Sequence, residues 1–124
     1  MFKSANEWIS RRLAQNRERR NGIVSIVPGG IQRAWSDKTE ILPWGDIVQV
    51  EAILLDAYIG DNLGLVIQSR DGRILQVMEY DPAWRALCSA LEEYLPGSTP
   101  YPEWSLKTAF GNDSRRFRVF PRGG

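Results

Sequence analysis

The chain contains no histidine and only one cysteine, Cys88. Without histidine there is no Ser–His or Cys–His nucleophile pair, no imidazole metal ligand and no side chain that ordinarily titrates near neutral pH. A lone cysteine forms neither an internal disulfide nor a four-ligand zinc site; this suits a reducing compartment, and a cytoplasmic location is expected. Long apolar runs are also missing. Nothing approaches the roughly eighteen consecutive apolar residues that a bilayer-spanning helix needs. Glycines occur at turns and form no phosphate-cradling loop. These absences point away from catalysis, and no cofactor and no metal are expected.

What is present is ordinary for one soluble domain. At 124 residues and 43% hydrophobic, the chain is long enough for one core and too apolar for wholesale disorder. Its charge is partitioned. The net value of +1 is the outcome of +4 over residues 1–20, −6 over 21–110 and +3 over 111–124. An acidic body with basic ends does not match a nucleic-acid module, which carries basic residues on its folded surface. It fits a basic protein partner, ends that fold back on the body, or simply a solvated surface of mixed sign.

Residues 1–20 read as a basic amphipathic helix. Ser4 and Glu7 have capping-box spacing, Asn21-Gly22 supplies a stop, and Phe2, Ala5, Trp8, Ile9 and Leu13 form an apolar stripe. Such a helix either docks on the domain or lies on an anionic membrane surface.

Residues 21–124 read as a single β-rich domain. Ile23–Val27, Ile31–Trp35, Glu40–Trp44, Ile47–Leu55, Leu63–Ser69 and Arg73–Tyr80 are strand candidates separated by turn residues. In the fourth, Val48, Val50, Ala52 and Leu54 fall on one face and Gln49 and Glu51 on the other. Asp56–Asn62 reads as a loop, and Asp71-Gly72 as a type I′ hairpin turn. Asp81-Pro82 opens a helix over about 82–95, with Trp84, Leu87, Cys88, Leu91 and Leu95 on one face. Glu103–Phe110 fits either a helical turn or a strand, and Arg116–Phe120 is a last strand. The connections are too short for parallel crossovers. The expected class is α+β, mostly β: an antiparallel sheet or small sandwich with a packed helix.

Four carboxylates bracket two junctions: Asp56 and Asp61 around the loop, Glu79 and Asp81 between the last strand and the helix. Hard cations take oxygen ligands, but the loop lacks the alternating donors of a calcium site, and Asp81 already has a helix-start role. Cys88, on an apolar helix face, reads as structural. Of the tryptophans, Trp84 reads as core; Trp35 and Trp44, beside turns, fit either the core or an interface.

Ile41-Leu42-Pro43-Trp44-Gly45-Asp46-Ile47-Val48-Gln49-Val50-Glu51 resembles the hydrophobic-x-Trp-x-Asp-Ile-x-x-Val segment of small bacterial proteins with a pleckstrin-homology-like β-fold. The order that follows is also similar: an Asp-Gly hairpin, a helix with Trp84 and Leu87, Leu95-Pro96-Gly97, Trp104 and a tail near Phe110–Asn112. The resemblance spans roughly residues 22–120. It implies a pleckstrin-homology-like sheet and, through immunity proteins of contact-dependent growth inhibition and related polymorphic toxin systems, a bacterial protein that neutralises a cognate toxin by direct binding. No catalytic residue carries over. The expected contact surface is Glu51, Asp56, Asp61, Glu79 and Asp81, with Tyr58 and Trp44 as aromatic anchors for a basic toxin domain; no nucleic acid is expected. A membrane-surface or lipid-binding adaptor using the N-terminal helix is the alternative, and a carboxylate or metal-dependent enzyme a more remote one.

Overall fold

A computed structural model describes residues 22–57, 60–111 and 116–122. The expected N-terminal helix lies outside the described residues. Two antiparallel sheets carry the architecture. The first holds β1 (Ile23–Val27), β2 (Gly30–Ala34) and β3 (Thr39–Pro43) in sequence order. β1 is nearly continuous in β-branched residues, and Val27 pairs with Gly30 across the two-residue turn Pro28-Gly29. Gly30 is required sterically, because a Cβ there would fall on the Leu42 carbonyl of β3. Pro43 cannot continue the ladder as a donor, and a single 3-10 turn, Trp44–Asp46, leads into the second sheet.

That sheet runs β6–β5–β4–β7, from β4 (Ile47–Ala57), β5 (Gly60–Ser69), β6 (Ile74–Met78) and β7 (Arg116–Phe120). Two segments join it to its last strand: helix α1 (Trp84–Tyr94), and helix α2 (Tyr101–Leu106) continued by a π turn, Lys107–Gly111. Glu103–Phe110 is therefore helical. α1 begins two residues after Pro82: Asp81 accepts the Ala83 N–H at 2.9 Å, so its carboxylate closes the turn before the helix. β7 is gripped on both edges. It pairs with β4 on one side, and on the other the Val119 carbonyl accepts the Thr99 N–H at 2.8 Å.

One apolar cluster unites both sheets and both helices. It contains Val24, Ile31 and Leu42 from the first sheet, Val50, Ala52, Leu65, Ile67, Leu75, Val77 and Val119 from the second, and Trp84, Leu87, Leu91 and Trp104 from the helices. The α+β, mostly β expectation is met at that level.

Three local expectations are corrected. Asp56–Asn62 is not a loop: β4 and β5 pair out to Ala57 opposite Gly60, so only residues 58 and 59 connect them. The Asp71-Gly72 turn is not a two-residue type I′ hairpin. Ser69 N–H donates to Arg73 O and Gly72 N–H to Ser69 O, which makes a three-residue connection with Gly72 at φ +89°. In β4 a bulge between Ile47 and Gln49 breaks the alternation, burying Ile47 and leaving Val48 exposed, while Val50 and Ala52 face the core as expected.

Candidate functional site

The register of the four-stranded sheet decides which expected site residues meet. Asp56 of β4 stands directly opposite Asp61 of β5. β6 ends beside them: the Leu63 N–H donates to Glu79 Oε1 at 2.8 Å, and the Glu79 N–H donates to Leu63 O at 2.9 Å. Asp81 follows two residues on, its N–H donating to Met78 O at 2.9 Å. Four of the acidic residues thus lie at one end of one sheet, although they come from three segments of chain.

Glu51 is placed elsewhere. It lies five residues before Asp56 on β4, about 17 Å along an extended strand. Its carboxylate pairs with the guanidinium of Arg116 on β7. Nothing local in the sequence announces that partner, because the pairing of β7 with β4 joins segments 65 residues apart.

Trp44 is at the opposite end of the sheet, before Ile47, which is itself about 30 Å of strand from Asp56. It is 8% exposed, its Nε1 donates to Pro28 O at 3.1 Å, and its ring stacks on Tyr94. Of the two readings of Trp44 the core one holds, and it is not available as an anchor beside the acidic residues. Tyr58 lies outside the described residues. Trp35 is half-buried, with the Arg33 guanidinium 5.1 Å and the Lys38 ammonium 4.7 Å from its ring.

The nucleophile candidate is inert in this setting. Burial, followed by the negative charge of Glu92, pushes the Cys88 thiol up to about 12, so it carries essentially no thiolate near neutral pH. Among the described residues no group of three or more Cys, Asp or Glu side chains is arranged to hold a metal ion. No helix among them is long and apolar enough to cross a membrane.

One group of residues was not anticipated as a surface feature. Ile53, Gly64 and Met78 are paired laterally across β4, β5 and β6 on the face turned away from the core. The signal was available: Ala52-Ile53-Leu54-Leu55 and Leu63-Gly64-Leu65-Val66-Ile67 are apolar at successive positions, so both faces of these strands are apolar.

No family model, no curated protein and no solved structure matches this chain.

Proposed function

We propose that this chain is a non-catalytic protein-binding module of the immunity type, which neutralises a basic toxin domain by binding it through the acidic end of the four-stranded sheet. The observation that carries the reading is the convergence of Asp56, Asp61, Glu79 and Asp81 at that end, with Asp56 and Asp61 opposed in register. Complementary charge of this kind acts mainly by accelerating association. The pleckstrin-homology-like resemblance of residues 22–120 supports the same direction, and the buried Cys88 thiol gives no support to a nucleophilic enzyme. Glu51, neutralised by Arg116, and the buried Trp44 drop out of the proposed contact surface. Glu79 and Asp81 remain, with the added duty of holding local backbone.

The test is a kinetic binding series against basic toxin domains of contact-dependent growth inhibition systems. Replacing Asp56 and Asp61 together by Lys is expected to lower the association rate at least tenfold at low salt, with the difference shrinking as salt screens it. An association rate indifferent to both the substitutions and ionic strength overturns the acidic surface.

A further inference from the structure

The face of the four-stranded sheet turned away from the core carries a buried apolar site that the core does not explain. Ile53 is 9% exposed and Met78 4%, yet neither belongs to the continuous cluster to which both sheets and both helices contribute. Their lateral neighbour is Gly64, and the three pack closely. A Cβ on Gly64 would lie 2.5 Å from Met78 Sδ and 3.3 Å from Ile53 Cγ1. Met78 therefore folds over a residue without a side chain, and the Gln76 amide nitrogen lies 3.4 Å from its sulfur. On the same face Leu55, 42% exposed, extends the apolar surface along β4, while Ile74, 60% exposed, is set apart from Met78 by Gln76. On the β7 side the same face is charged, with Arg116 paired to Glu51 and Arg118 exposed. The apolar part of this face is therefore the part formed by β4, β5 and β6 around Ile53, Gly64 and Met78.

We propose that the occupant is the chain's own N-terminal segment, residues 1–20, with Phe2, Trp8, Ile9 and Leu13 laid on Ile53, Gly64 and Met78. Three features fit it. Its apolar residues recur at three- and four-residue steps, so they form one stripe suited to one apolar face. Its net charge of +4 opposes the acidic residues Asp56, Asp61 and Glu79 at the end of that sheet, with Arg17, Arg19 and Arg20 concentrated beyond the stripe. Its length matches: twenty helical residues span about 30 Å, against about 36 Å for eleven residues of β4. This inference and the toxin-binding proposal share Asp56, Asp61 and Glu79, but its test reads a contact within one chain and is decided without the toxin.

The test uses the full chain with Trp8 replaced by p-benzoylphenylalanine, irradiated at low concentration and mapped by mass spectrometry. Docking predicts an intramolecular adduct to residues 53–78, centred on Met78. An adduct elsewhere in the chain, an adduct between two chains, or none overturns the proposal. A second measurement guards against disturbance by the introduced group. Amide exchange at residues 2–13 of the unmodified chain should be slowed in buffer alone and should accelerate at least tenfold in Met78→Gln, while protection at Leu65 and Ile67 persists. Protection of residues 2–13 seen only with phosphatidylglycerol–phosphatidylcholine vesicles overturns the proposal and makes the segment a membrane anchor.

Discussion

Trp44 and Tyr94 stack with ring centroids 5.1 Å apart and planes 13° from parallel. This single contact ties the link between the two sheets to the last residue of α1. The indole also donates to Pro28 O, so the turn between β1 and β2 is held by the same side chain. Trp44→Ala removes a large buried ring and leaves a carbonyl without its donor. It is expected to cost about 3–5 kcal/mol in urea unfolding. Trp44→Phe keeps the stack, loses the donor, and should recover more than half of that.

The contact at Gly64 makes a paired prediction. Gly64→Val places two methyl groups where Met78 Sδ and Ile53 Cγ1 already sit. Overpacking of this kind should destabilise the chain by about 1–3 kcal/mol. Met78→Ala empties the space, so the double variant should be more stable than Gly64→Val alone. A double-mutant cycle in denaturant measures the coupling, and additive effects would show that the two side chains do not compete for one volume.

Asp71 supplies an acid-range signature. The Ser69 hydroxyl donates to its carboxylate, the Arg73 Nε donates at 2.8 Å, and the Arg73 backbone N–H at 3.2 Å. These bonds, that from Ser69 first, hold the carboxyl down at about 2, below its ordinary 3.8. A depressed pKa means that the folded state binds its proton later than the unfolded state. The stabilisation is therefore complete above about pH 4 and is lost as pH falls toward about 2. Asp71→Asn should lower the denaturation midpoint at pH 5–7, and the gap from the parent protein should close between pH 4 and 2.

The Cys88 thiol should be silent to a disulfide reagent at pH 8 in the folded protein. With its pKa raised from 9.0 to about 12, the thiolate fraction is about a thousandfold below that of an exposed cysteine. Reaction should track unfolding in denaturant, with one equivalent released. Rapid native-state labelling would show that α1 opens readily or that Cys88 faces solvent.

The parts of this fold legible in the sequence are those governed by short-range chemistry. β-branched runs, Pro-Gly and Asp-Gly punctuation and the α1 stripe placed the six leading strands and the main helix, and Phe117 and Val119 alternate with Arg116 and Arg118 as β7 requires. The errors fall where a pairing partner decides. Asp56 and Asn62 look like loop residues, but a partner strand in register holds them extended. The bulge after Ile47 exposes Val48 against the alternation, because a single extra residue reverses every side chain before it. For the site, the acidic positions were legible as composition, while their gathering at one sheet end needed the β5–β6 register. The Glu51–Arg116 pair and the burial of Met78 follow only from which strands and faces meet.

The pairing of β7 with β4 also orders events during synthesis. Arg116–Phe120 must meet Val50–Ile53, so the sheet cannot close until residue 120 has left the ribosome. Until then the β4 edge carries unpaired backbone donors and acceptors beside apolar side chains, an arrangement prone to pairing with another nascent chain. The helical segments between β6 and β7 can form locally in the meantime. The final strand then enters a slot already bounded by β4 and by the Gly97–Thr99 backbone, whose Thr99 N–H and Gly97 carbonyl bond Val119 and Arg122. A chain ending inside residues 107–116 would therefore expose a sticky, incomplete sheet, and one released after β7 would not.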